Sequence, residues 1–98
     1  MIYWDAELHR LKGALLLSLS DGNESEAEAC FKNAIEIARG QSAKSFELRA
    51  AMGLARLWQD EGKQAEARDL LAPVYGWFTE GFDTADLKDA KALLDDLA

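Results

Sequence analysis

The side chains that most often do chemistry are few and scattered in this sequence. His9 is the single histidine and Cys30 the single cysteine. A serine–histidine–aspartate triad would have to form around His9, and Cys30 falls on an apolar helix face rather than in the exposed, electropositive setting of a reactive thiol. The carboxylates lack the convergent spacing of a metal site. We therefore expect no catalytic residue, no metal and no cofactor.

The charge balance narrows the class of partner. The 98 residues include 11 Lys and Arg against 18 Asp and Glu, a net charge of −7. An acidic surface disfavours nucleic acid and anionic membranes, which both bind basic proteins. No apolar run approaches the roughly 20 residues that span a bilayer, and one cysteine forms no internal disulfide. These features predict an acidic cytoplasmic domain with neither nucleic acid nor membrane as partner.

The elements that must position any site are helices. The chain contains 17 Ala and 15 Leu against six β-branched residues. Ala and Leu favour helices, whereas β-branched residues favour strands. Glycines at positions 22, 40, 62 and 81 punctuate the chain at intervals of about twenty residues, which suits helices joined by short turns. The composition predicts an all-α fold.

The sequence repeats itself after 40 residues. Residues 7–35 align with residues 47–75, and seven of the 29 positions are identical. The identical pairs are Glu7 and Glu47, Leu8 and Leu48, Gly13 and Gly53, Leu17 and Leu57, Gly22 and Gly62, Glu26 and Glu66, and Ala27 and Ala67. Apolar residues recur in steps of three and four through both units, which is typical of amphipathic helices. Each unit is thus predicted to be a helical hairpin around a glycine turn.

One domain, residues 1–98, is predicted from this pattern. Repeat one covers about 5–40, repeat two about 43–80, and a capping helix about 84–97. We expect a right-handed α–α stack in which the first and third helices lie side by side. Asn23 is a candidate N-cap, and Gly13 and Gly53 are expected to mark close packing within each hairpin. Trp77 and Phe78 are expected to pack under the capping helix, and the alternative is an exposed partner patch.

The second unit resembles the tetratricopeptide repeat. The residues that carry the resemblance are Ala51, Leu54, Ala55, Trp58, Gly62, Ala67, Leu71 and Val74. The first unit matches the pattern at Gly22, Ala27, Phe31 and Ala34. It departs from the pattern at Ser18, where the family has an aromatic residue, and the 40-residue period exceeds the family's period of about 34.

A narrower resemblance points to signalling proteins. Residues 6–13, 29–31 and 70–84 resemble the C-terminal ends of large bacterial proteins that join a predicted ATPase module to adenylate cyclase-type or transcription-regulator domains. The ATPase and cyclase motifs are absent from these 98 residues. The resemblance implies a non-catalytic protein–protein interaction or regulatory module, the C-terminal part of such a protein. Two alternatives stay open: a free-standing small adaptor of the same fold, and a small-ligand-binding helical domain.

The resemblance also implies a peptide groove, because the first helix of each tetratricopeptide hairpin lines the concave face. The groove positions are His9, Lys12, Leu16 and Leu19 on the first helix and Arg49, Met52, Arg56 and Gln59 on the third. Three of the eight are Lys or Arg in a chain of net charge −7. A protein or acidic peptide is therefore the expected partner.

The first helix carries more leucine than one neighbouring hairpin can cover. Its apolar residues are Leu8, Leu11, Ala14, Leu15, Leu16, Leu17 and Leu19, which surround more than half of the helix. The ends of helical-repeat arrays need polar caps. We therefore expect self-association through this helix, most simply as a two-fold dimer, with Leu8, Leu15, Leu16 and Leu19 at the contact.

Overall fold

The computed structural model describes residues 5–19, 22–78 and 85–97, which form five α-helices and no strand. The helices are α1 (Asp5–Leu19), α2 (Glu24–Gly40), α3 (Lys44–Asp60), α4 (Gln64–Trp77) and α5 (Ala85–Leu97). The predicted all-α fold is confirmed over these residues, and none of the five helices is long and apolar enough to cross a membrane. α4 ends before residue 80 because Phe78 is extended (φ −79°, ψ 118°). The predicted end of repeat two, at about residue 80, lies outside the described residues. The predicted start of the capping helix, at about residue 84, lies outside them as well.

The turns between the first four helices share one backbone feature, a residue of positive φ. Gly22 has φ 98°, Ser42 has φ 55° and Gly62 has φ 81°, so these residues recur every 20 positions. The turns after α2 and α3 have the same pair of hydrogen bonds. Ser42 N donates to Arg39 O and Ala43 N to Ala38 O, as Gly62 N does to Gln59 O and Lys63 N to Trp58 O. This pattern is the Schellman motif, in which glycine usually occupies the left-handed position.

The second turn follows Gly40, as the glycine spacing predicts, but Gly40 is not its residue of positive φ. Gly40 is the last residue of α2, and the left-handed conformation falls on Ser42 instead. Asn23 is the N-cap residue of α2, as expected, but its side chain makes no capping hydrogen bond to an α2 amide. Its Nδ2 instead donates to Leu16 O over 3.0 Å, which ties the turn back to α1.

α3 lies at the centre of the fold. It contacts all four other helices, whereas α1 contacts only α2 and α3 among the described elements. The buried alanines of α3 (Ala50, Ala51 and Ala55) allow neighbouring helices to approach closely. The largest fully buried side chains are Leu48 and Leu54 of α3 and Leu71 of α4. The core therefore surrounds the third helix.

Phe31 of α2 separates the two repeated glycines. A Cβ on Gly13 would lie 3.2 Å from Phe31 Cζ, and a Cβ on Gly53 would lie 2.5 Å from Phe31 Cε1. Gly13 thus faces α2, its partner helix in the predicted first hairpin, as expected. The expectation for Gly53 is wrong, since the nearest atoms belong to Phe31 of α2 and not to α4, its partner helix in the predicted second hairpin. Both α1 and α3 therefore turn their glycine side toward the same aromatic ring.

Candidate interaction surfaces

The two side chains that most often do chemistry lie on neighbouring helices. Cys30 is buried beside Gly13, and His9 is half-buried on α1. Within the described ranges no group of three or more His, Cys, Asp and Glu side chains is placed to hold a metal ion. The surfaces worth considering are therefore ionic networks and exposed apolar faces.

Glu7 and Glu47 occupy equivalent positions in the two repeats, and the carboxylate of each forms ion pairs. Glu47 is buried, with 2% of its surface exposed, and accepts hydrogen bonds from Arg39 Nε (2.8 Å) and Lys44 Nζ (3.2 Å). Glu7 accepts two bonds from Arg10, each 3.0 Å long. Sequence reasoning did not find these pairs, although the 40-residue self-match was the available signal. Glu47 is tied to both α2 and α3 and has a structural role.

Arg49 connects three helices. Its Nε donates to Asp86 Oδ2 of α5 over 2.8 Å, and its Nη1 lies 3.4 Å from Glu7 Oε2 of α1. The hydrogen bond that Arg49 donates to Asp86 is the main cause that raises the pKa of Arg49. The charges of Asp86 and Glu7 also raise this pKa, whereas partial burial lowers it. The guanidinium therefore holds α1, α3 and α5 together along one side of the fold.

The residues of the expected peptide groove have different environments. His9 and Gln59 are half-buried, Lys12 and Arg56 are exposed, and Leu16 packs partly against the core. Met52 is 5% exposed and belongs to the core, and Arg49 is occupied by the two carboxylates named above. The exposed cations of the set are thus Lys12 and Arg56.

Arg56 and Gln59 line an open cleft between α3 and α5. The cleft has a volume of about 320 Å³, and its other polar residues are Asp60, Asp89 and Asp96. Three carboxylates thus surround the one guanidinium. The local charge is negative, which opposes the capture of an acidic peptide at this place.

A stripe of exposed leucine runs along α1. Leu8, Leu11, Leu15 and Leu19 have 56%, 52%, 57% and 66% of their surfaces exposed. At about 100° per residue, these four side chains fall within an arc of about 80° on the side of α1 opposite Gly13. We call these four residues the leucine face. Because Gly13 faces α2, the leucine face points away from the rest of the described chain.

The same side of α3 is buried. The repeat places Leu48, Ala51 and Ala55 at the positions of Leu8, Leu11 and Leu15, and their exposed fractions are 1%, 0% and 0%. α3 buries that side because it has neighbours beyond α2, whereas α1 has only α2 and α3. The leucine face of α1 therefore corresponds to a side of α3 that the neighbouring helices cover.

The opposite end of the fold is polar. The exposed residues of α5 are Ala85, Lys88, Asp89, Lys91, Ala92, Asp95 and Asp96, while its leucines are buried or half-buried. A polar outer surface is what the last element of a helical stack requires. The two ends of the fold thus differ, since one exposes leucine and the other exposes charge.

The aromatic residues at the end of α4 differ from expectation. Phe78 packs partly against the core, but Trp77 is 58% exposed, so the prediction that Trp77 is covered is wrong. Its ring lies 5.4 Å from Lys44 Nζ and meets Phe78 edge to face at 5.2 Å. Trp77 therefore packs beside the start of α3.

Trp58 forms a polar contact that the sequence did not indicate. Its Nε1 donates to Glu28 Oε1 of α2 over 2.6 Å, and Lys32 Nζ lies 3.4 Å from the other carboxylate oxygen. The hydrogen bond from Trp58 is the main cause that lowers the pKa of Glu28. Lys32 lowers this pKa further, whereas partial burial raises it. This contact joins α2 to α3.

Comparison with known proteins gives no relative of this chain. No family model matches this chain, and neither a curated protein nor a solved structure matches it. The leucine face and the α3–α5 cleft are therefore defined by their geometry and charge alone.

Proposed function

We propose that this chain is a non-catalytic protein-interaction module built from helical repeats, and that it forms the C-terminal part of a larger bacterial signalling protein. The tetratricopeptide-like pattern of residues 51–74 supports the first statement, and the resemblance of residues 70–84 supports the second. The proposed arrangement is two helical hairpins followed by a capping helix, wound in a right-handed stack. A free-standing adaptor of the same fold is the alternative.

The leucine face is the single observation that carries this proposal. Fully burying one leucine contributes about 1.5–3 kcal/mol. Each of these four leucines is more than half exposed, so covering them would contribute several kcal/mol. Contiguous apolar patches of this kind mark interaction sites in soluble proteins. The proposed docking surface is therefore α1.

The groove for an acidic peptide has less support. Met52 is in the core and Arg49 is paired with Asp86 and Glu7. Arg56 shares its cleft with three aspartates. Titration with acidic and basic peptides of equal length separates the two possibilities, since the cleft charge favours the basic peptide. Tight, salt-dependent binding of the acidic peptide alone would support the groove as the binding site.

The experiment that tests the module is site-specific photocrosslinking in the native host. A photoreactive amino acid replaces Leu11 on the leucine face in one strain. It replaces Ala72, an exposed residue of α4, in the matched control. We expect crosslinks to a defined protein, identified by mass spectrometry, from position 11 and none from position 72. The absence of any crosslink at position 11 would contradict the proposed function.

A further inference from the structure

We infer that the occupant of the leucine face is the α1 helix of a second copy of this chain, packed antiparallel around a two-fold axis near residues 13–14. This inference rests on the proposed function, because it names the partner of the same surface. It commits to the second copy ahead of any other helix.

The polarity of the two ends favours a closed pair. If copies stacked head to tail, the leucine face of one copy would meet the charged surface of α5 in the next. Apolar surface gains nothing by burial against unpaired charge. A two-fold arrangement instead sets leucine against leucine and leaves both α5 helices in solvent.

The spacing of the leucines suits the antiparallel direction. With the axis near residues 13–14, Leu8 lies opposite the partner's Leu19, and Leu11 lies opposite the partner's Leu15. Each copy supplies both members of each pair, so all four leucines are covered.

Sedimentation equilibrium of the 98-residue chain tests the inference. A single helix from each copy gives a small interface, so we expect a dimer with a roughly micromolar dissociation constant. Leu15→Glu should raise that constant roughly 100-fold, because the symmetry places the substitution twice in the interface. Ala72→Glu, which adds the same charge on exposed α4, should leave it unchanged, and circular dichroism should show that both variants are folded.

Cysteine crosslinking tests the direction. A mixture of Leu8→Cys and Leu19→Cys chains should form a mixed disulfide dimer on oxidation, while each variant alone should not. Cys30 is buried, so the wild-type chain serves as the blank. Efficient crosslinking of Leu8→Cys with itself would overturn the antiparallel arrangement.

Failure of the inference and failure of the proposed function give different results. A wild-type chain that stays monomeric, or a dimer that resists Leu15→Glu, would overturn the second copy as occupant. Photocrosslinks from position 11 to another protein would then still support the interaction module. Monomers without any such crosslink would contradict both.

Discussion

Arg49 of α3 donates from Nε to Asp86 Oδ2 of α5 across 2.8 Å, and the same guanidinium approaches Glu7 of α1. α1 and α5 have no contact with each other among the described elements. One side chain therefore couples the apolar end of the fold to its polar end through α3.

Arg49→Met should weaken this coupling modestly. The Arg49 side chain is 39% exposed and that of Asp86 is 33% exposed, so we expect a coupling energy of about 0.5–1 kcal/mol. A double-mutant cycle with Asp86→Asn, measured by urea unfolding at low and high salt, gives that energy. Screening should reduce it at high salt. A coupling near zero at low salt would show that the ion pair contributes nothing.

Ser42→Gly should stabilise the fold by about 0.5–1 kcal/mol. Ser42 has φ 55°, a conformation that costs a residue with a Cβ more than it costs glycine. Gly62→Ser provides the matched reverse change, because Gly62 occupies the same position of an equivalent turn, and it should destabilise by a similar amount. Urea denaturation of both variants checks the pair. Equal effects of the same sign would contradict the turn assignment.

Gly53→Ala should destabilise the fold by about 1–3 kcal/mol, the usual range for overpacking. The new Cβ would lie 2.5 Å from Cε1 of Phe31, whose ring is 2% exposed and cannot move into solvent. Gly40→Ala is the control, since no atom lies within 4 Å of its Cβ position. That change should be neutral or stabilising, and Phe31→Leu should relieve the effect at position 53. Full tolerance of Gly53→Ala would refute the close α2–α3 contact.

Trp58→Phe should lower stability near neutral pH by about 1 kcal/mol, the net value of a typical hydrogen bond. In the folded chain the pKa of Glu28 lies below its ordinary value, so the contact stabilises above the unfolded pKa of about 4.3. The contribution is lost as the pH falls through the lowered pKa. The stability difference between wild type and variant should therefore shrink in acid. Glu28→Gln is the control in which Trp58→Phe should show little pH dependence.

The helix boundaries could be predicted because turn residues interrupt a strongly periodic sequence. Repeat one ends with α2 at Gly40 and repeat two begins with α3 at Lys44, within one residue of the predicted bounds of about 40 and 43. Glycine is the usual residue of positive φ, yet Gly40 only ends α2 and Ser42 has the positive φ of this turn. A Schellman turn tolerates serine at a local cost, and sequence alone does not reveal where the chain accepts that cost.

The packing partners of each face were harder to predict. Periodicity shows that Gly13 and Gly53 share a helix face, but it does not show which neighbour fills that face. Leu15 and Leu16 are adjacent and equally apolar, yet Leu15 is 57% exposed and Leu16 packs on the core. The rotation of α1 against α2 decides between them, and it depends on tertiary contacts around Phe31.

The most direct test of the leucine face is an isotope-filtered NMR experiment on mixed copies. One half of the sample carries labelled leucine methyl groups, and the other half is unlabelled. The account predicts intermolecular methyl contacts for Leu8, Leu11, Leu15 and Leu19, with Leu87 and Leu93 of α5 showing none. A chain that tumbles as a monomer at millimolar concentration, with no intermolecular contact from these four leucines, would contradict it.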